Sequence, residues 1–212
     1  MTKLQVIKSH IKEIAVTFGR QEEIALLAVT KNQKISTIES ALAQGHRLFG
    51  ENRVQEAYTK WPEMKKKFNH IELHLIGHLQ TNKVKEAIKL FDVIQTLDSL
   101  KLAEKLVAEE KRQGKHLAYL IEVNIGEEPQ KAGVLPKDFD DFFSKISTCY
   151  PLNVQGIMCI PPAEQDPTLY FQRMKNISET YKFPIISMGM SNDYELAIRY
   201  GATQVRIGRA LF

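Results

Sequence analysis

Apolar positions along this chain fall into two alternating patterns. Short continuous apolar runs between polar or Gly/Pro boundaries read as buried strands, and apolar residues recurring every three or four positions read as amphipathic helices. Leu4, Ile7, Ile11, Ile14 and Phe18 form a first helical stripe that Gly19 ends. The stripe covers too few heptads for a coiled coil, so this helix is expected to pack on its own domain. The run 24–31 is the first strand and stops on the cation Lys31. Further strands are expected at 46–50, 71–76, 91–97, 116–124, 152–160, 184–188 and 203–207.

Helices are expected between them. Ser36 and Glu39 form a capping-box pattern ahead of Ile38, Ala41 and Leu42, and Gly45 supplies the stop. A helix from about Asn52 carries Val54, Ala57 and Tyr58 and should be interrupted or kinked at Pro62. Val84, Ala87 and Ile88 mark the next. Asp98 is expected to cap a helix that buries Leu102, Leu106 and Val107 and ends near Gly114. Pro136 opens a helix with Phe139, Phe142, Phe143 and Ile146 inside. Pro167 begins one with Leu169, Met174 and Ile177 inside, and Gly201 ends the last.

Strands alternating with helices imply parallel pairing through crossovers. Eight short apolar strands point to a single (β/α)8 TIM barrel over residues 1–212, with an extra N-terminal helix. The alternative is an open doubly wound sheet, but no Gly-rich dinucleotide fingerprint follows the first strand.

Composition narrows the function classes. The net charge of +4 is dispersed apart from Lys65-Lys66-Lys67, and no basic stripe with interleaved aromatics suggests a nucleic-acid partner. The lysine run reads as a solvated helix end favoured by the helix dipole. No apolar stretch approaches the ~18 residues needed to span a bilayer, and the N-terminus lacks a signal-peptide core. A cytoplasmic monomer without membrane contact is expected. Two cysteines, Cys149 and Cys159, offer neither a disulfide framework nor metal-ligand spacing, and both are expected to be reduced and packed.

In a barrel all strand carboxyl ends share one mouth. Those ends bring together Lys31, Glu51-Asn52, His78-Gln80-Asn82, Asn124, Met158, Ser187 to Asn192, and Arg206-Ile207-Gly208-Arg209. Gly189-Met190-Ser191-Asn192 and Gly208-Arg209 lie on adjacent strands, where barrels often bind phosphate. A plain helix cap by Asn192 and Glu195 is the other reading of the first loop. Strand alternation puts Gln204 and Arg206 inside, and Val205 and Ile207 against the helices. A lysine amine facing a phosphate cradle suits a phosphorylated carbonyl ligand.

These residues resemble the YggS/PROSC family of pyridoxal 5′-phosphate (PLP) homeostasis proteins, whose fold is similar to the barrel domain of alanine racemase. The resemblance runs from about Leu26 to Phe212. It includes Ala28-Val29-Thr30-Lys31, Phe49-Gly50-Glu51-Asn52-Arg53-Val54-Gln55-Glu56 and Ile76-Gly77-His78-Leu79-Gln80-Thr81-Asn82-Lys83. It continues through Val123-Asn124-Ile125, Glu128 to Gly133, Gly156-Ile157-Met158, Ser187-Met188-Gly189-Met190-Ser191 and Val205-Arg206-Ile207-Gly208.

The resemblance implies that Lys31 forms the internal aldimine with PLP. It further implies that Ser191, Met190, Gly208 and Arg209 hold the phosphate, that Arg206 faces the pyridine nitrogen, and that Asn52 lies near the cofactor. Lys83 and Lys131 fall within the shared motifs without a derivable role, and solvated helix and loop positions are the plain reading for both. Two departures stand out: Thr30 replaces a frequent serine, and relatives usually continue beyond Leu211-Phe212. Alanine racemase takes its second base, a tyrosine, from another domain across a dimer, and no counterpart is expected here.

A PLP carrier or buffer without robust catalysis, supplying apo PLP-dependent enzymes and thereby affecting amino-acid and keto-acid balance, is the expected function. A small PLP-dependent amino-acid racemase is the alternative. A cofactor-free aldolase-like barrel using Lys31 is a third.

Overall fold

Each expected strand forms, and hydrogen bonding closes them into a ring. The computed structural model describes every residue from Met1 to Phe212. The strands are β1 (Ala25–Val29), β2 (Leu48–Glu51), β3 (Glu72–Leu75), β4 (Val93–Leu97), β5 (Ala118–Val123), β6 (Asn153–Cys159), β7 (Ile185–Ser187) and β8 (Gln204–Ile207). They pair in parallel in sequence order. β8 returns to β1 through Leu27↔Arg206 and Ala28↔Ile207, so the sheet has no free edge and the open-sheet alternative is excluded. The helices are α1 (Lys3–Thr17), α2 (Ile35–Ala43), α3 (Val54–Lys67), α4 (Val84–Leu90), α5 (Leu100–Gln113), α6 (Phe139–Cys149), α7 (Thr168–Tyr181) and α8 (Tyr194–Arg199). Together they make a (β/α)8 TIM barrel with an extra helix in front.

The two-residue period of each strand divides the core. Outward residues such as Leu26, Ala28, Phe49, Leu73, Ile94, Ile121, Val205 and Ile207 pack under the helices in one apolar cluster. Inward residues Leu27, Val29 and Ile76, with Leu48, form a small separate cluster inside the barrel. α1 buries Leu4, Ile11, Ile14 and Ala15 on its own domain, as expected. It lies against α8, where His10 Nδ1 meets the Tyr194 hydroxyl at 2.6 Å. Lys3 Nζ reaches the carbonyl of Phe212 at 2.9 Å, joining the two ends of the chain.

Several local expectations are corrected. Lys34 is the N-cap of α2, and Ser36 makes no capping bond because it already lies within the helix. Ser99, not Asp98, caps α5, accepting from the Leu102 N–H at 3.3 Å, while Asp98 pairs with His78. α3 continues through Pro62 to Lys67, anchored by the wholly buried Trp61 beside it. Tertiary burial here outweighs the loss of one helical hydrogen bond. Leu169 is exposed, and Phe171 takes the inner place with Met174. Cys159 is packed as expected, but Cys149 is exposed at the end of α6.

The lysine run ends α3 and is paired, Lys65 with Asp92, Lys66 with Glu63 and Lys67 with Glu39. No helix is long and apolar enough to cross a membrane.

Candidate functional site

The first polar residues beyond β1 are held from behind. Thr30 is wholly buried on the helix side, where its hydroxyl donates to Glu51 Oε1 at 2.7 Å. Trp61 Nε1 donates to the same oxygen at 3.0 Å. Lys60, 5% exposed, directs its ammonium to Glu51 (2.8 Å), Glu56 (2.7 Å) and the Thr30 carbonyl (2.8 Å). It donates hydrogen bonds to Glu56 and the Thr30 carbonyl, and Glu51 lies at ion-pair distance. Glu56 Oε1 also accepts the Asn32 N–H at 2.6 Å. Burial pushes the Glu56 carboxyl up, but its bonds to Lys60 and Asn32 outweigh that and hold it below the usual range. Residues 30 and 32 are fixed, so the backbone of Lys31 is fixed between them. Leu27 and Val29 point into the barrel, so alternation turns Lys31 to the mouth, where it is exposed and makes no side-chain bond within the chain.

Asn52 follows β2 on the neighbouring stave. Its Oδ1 is buried and has no hydrogen-bond partner in the chain. A Cβ at Gly77 would collide with the Asn52 carbonyl, so a glycine lets the loops after β2 and β3 touch.

On the other side of β1, Arg206 is 3% exposed and points inward from β8. Its Nη1 donates to Ser187 Oγ at 2.9 Å and its Nη2 to the Cys159 carbonyl at 2.7 Å. No carboxylate lies within ion-pair distance of it. Burial pulls its pKa down, against weaker opposing effects of Cys159, Asp193 and Glu122. Gly208 sits one step above, where an added Cβ would stand 3.3 Å from the Val29 carbonyl.

The Arg206 N–H donates to the Gly189 carbonyl at 2.9 Å, tying the loops after β7 and β8 together. Gly189 adopts φ +90°, which favours glycine. The Met190 N–H is already spent on Asp193 Oδ1 at 2.6 Å, and Asp193, not Asn192 or Glu195, is the N-cap of α8. The N–H groups of Ser191, Asn192, Gly208 and Arg209 have no acceptor within the chain. Ser191 is half-buried, and Met190 and Arg209 are exposed.

Lys31, Asn52, Met190, Ser191, Arg206, Gly208 and Arg209 therefore come from four consecutive staves, β7-β8-β1-β2. Other mouth residues have structural duties. Asn124 Nδ2 donates to the carbonyls of Glu128 and Lys131, and Lys131 reaches those of Ile160 and Pro161, pinning the loop after β5 to the end of β6. Lys83 lines a cleft with Asn52, Arg53 and His78 and makes no ion pair.

Sequence reasoning missed three inward polar residues. Glu122 on β5 has a buried oxygen without a partner, and its carboxyl is pushed up to about 7 by burial and by Asp98, with Arg206 opposing. Gln95 on β4 and His74 on β3 are buried inside the barrel. Each is a polar residue within a predominantly apolar strand segment, which was the available signal.

The family model described as "Alanine racemase, N-terminal domain" matches residues 3–212. The pyridoxal phosphate homeostasis protein of Haemophilus influenzae is 36% identical over 220 residues, covering 99% of this chain and 93% of that protein. An unknown protein from Bifidobacterium adolescentis superposes with a TM-score of 0.92 at 31% identity, covering 99% of this chain and 93% of that one. PipY of Synechococcus elongatus, solved with PLP bound, superposes with a TM-score of 0.82 at 32% identity, covering 95% of this chain and 99% of that one. Near-full-length identity above 30%, together with the match to the family model over residues 3–212, places this chain in the pyridoxal phosphate homeostasis protein family, built on the alanine racemase N-terminal domain.

Proposed function

We propose that this chain binds PLP at the β7-β8-β1-β2 side of the mouth and serves as a cytoplasmic carrier or buffer of it. One observation carries the reading: Arg206 is a buried cation with no carboxylate partner, placed beside backbone N–H groups that have no acceptor in the chain. Such a cluster favours a ligand with a phosphate and a ring acceptor. The N–H groups of Ser191, Asn192, Gly208 and Arg209, with the Ser191 hydroxyl, would hold the phosphate. The exposed Lys31 amine would be the covalent anchor, with its backbone held by Thr30 and Asn32. The orphaned Asn52 Oδ1 would accept from a ring hydroxyl. When bound, PLP supplies an aldehyde that condenses with primary amines and a pyridine ring that withdraws electrons. Arg206 has no lone pair to take a proton and donates only, so it would keep the ring nitrogen unprotonated and a weak electron sink. That favours holding over turnover, and apo PLP-dependent enzymes are the recipients in this reading.

The test is borohydride reduction of the PLP-loaded chain followed by peptide mass spectrometry. A pyridoxyl group on Lys31 is expected, and a label confined to Lys83 or Lys131 would overturn the assignment. The amino-acid racemase reading has one observation in its favour: Glu122, in the same barrel, has a free buried oxygen, and burial pushes its carboxyl up to about 7. Racemisation by the loaded chain that vanishes in Lys31→Ala would replace the carrier reading with that one.

A further inference from the structure

Inside the barrel runs a polar chain that the mouth alone does not explain. On the β1–β2 side the inward residues are apolar, Leu27, Val29 and Leu48. On β3, β4, β7 and β8 they are His74, Gln95, Ser187, Gln204 and Arg206, all buried. Arg206 Nη1 donates to Ser187 Oγ at 2.9 Å, and Ser187 Oγ donates to Gln95 Oε1 at 2.7 Å. Gln95 Nε2 lies 2.6 Å from His74 Nδ1, and His74 Nε2 lies 2.7 Å from Glu72 Oε1.

Chemistry sets the direction of the last two bonds. An amide NH2 only donates, so His74 Nδ1 accepts, the ring proton sits on Nε2, and Nε2 donates to Glu72. All four bonds then point the same way, from the guanidinium below the mouth to an exposed carboxylate at the opposite end of the barrel. The His74 ring beside Glu72 holds that carboxyl below its usual range, so the chain ends on a carboxylate at neutral pH. Gln95 Nε2 also donates to Gln204 Oε1, so turning the amide would lose two donors at once.

We infer that Gln95, oriented by His74 and Gln204, is a positioning residue for Arg206. Because Gln95 takes the Ser187 hydrogen, Ser187 meets Arg206 only as an acceptor, and the guanidinium keeps two fixed tethers. Without Gln95 the hydroxyl is free to rotate, and the Cys159 carbonyl is the one tether that remains assured. Filling the barrel does not require this chain, since leucines and Val29 fill the other side. A buried polar network is weak evidence for stability, so its end point on Arg206 indicates its use. The inference rests on the PLP reading, in which Arg206 faces the ring nitrogen.

The experiment compares binding of PLP with that of its 1-deaza analogue, whose ring nitrogen is replaced by C–H. Wild type should prefer PLP about tenfold, the difference that one charge-assisted hydrogen bond supplies. In Gln95→Met, and in Ser187→Ala, which deletes only a hydroxyl, that preference should fall to about onefold. Equal weakening for both ligands, or an unchanged preference, overturns the positioning role. A wild-type chain that takes up neither ligand overturns the PLP reading instead. Independently of any ligand, ¹⁵N NMR of the wild-type apo chain should show His74 as the Nε2–H tautomer at neutral pH. The Nδ1–H tautomer would break the chain of donors and refute it.

Discussion

Replacing Lys60 with methionine should damage this protein far more than the loss of a surface lysine would. Its ammonium is buried, donates to Glu56 and the Thr30 carbonyl, and stands 2.8 Å from the Glu51 carboxylate. Methionine fills similar volume but leaves the Glu51 carboxylate, 0% exposed, without its cation. Breaking a buried pair from one side costs about 3–5 kcal/mol, because the remaining charge stays desolvated. Glu51 would keep only the Thr30 hydroxyl and Trp61 indole bonds, both to the same oxygen. Adding Glu51→Gln removes that charge, so the double variant should recover at least about 1 kcal/mol over Lys60→Met alone. Urea unfolding at neutral pH measures this. Trp61, the chain's single tryptophan, is a probe at the site, and far-UV circular dichroism checks that it reports global unfolding. A cost below about 1 kcal/mol for Lys60→Met, or a double variant no more stable than the single, would refute the argument.

Two pH effects of opposite sign should also be measurable. Burial, then Asp98, pushes the Glu122 carboxyl from 4.5 up to about 7. The folded state therefore binds the extra proton, and its contribution, present at acid pH, is lost as pH rises through about 7. Glu122→Gln should be near neutral at pH ~4.5 and stabilising by up to about 3 kcal/mol at pH ~8 in urea titrations. Burial and the Lys8 cation, with Arg47, hold the His46 pKa down from 6.5 to about 4. There the unfolded state binds the extra proton, so stability falls by up to about 3 kcal/mol as pH drops from ~6.5 to ~4. His46→Gln should flatten that part of the curve, and an unchanged slope would assign the acid sensitivity elsewhere.

Read from the chain alone, the strand and helix order and the barrel class were legible, because period-two and period-3.6 burial leave their mark on neighbouring residues. The inward placement of Gln204 and Arg206 followed from the same alternation. So did the gathering of Lys31, Asn52, Ser191, Arg206 and Gly208 at one mouth, since parallel strands all end on the same side. Caps were less legible: Ser99 rather than Asp98, and Lys34 rather than a residue with a capping side chain, depended on where each strand released the chain. Pro62 remained inside α3, whose neighbouring Trp61 is wholly buried, a packing term that no local rule contains.

Tertiary structure alone decided which polar residues meet. Gln95 and Gln204 are separated by 109 positions and Gln95 and Ser187 by 92, yet they hydrogen-bond inside the barrel. Lys60 looks like an ordinary helix lysine until closure of the fold places it against Glu51 and Thr30. Local patterning determined the elements and their order. Ring closure determined the hydrogen bonds, because burial drives most polar groups to a partner wherever the fold delivers one, Asn52 Oδ1 and the Glu122 oxygen being exceptions.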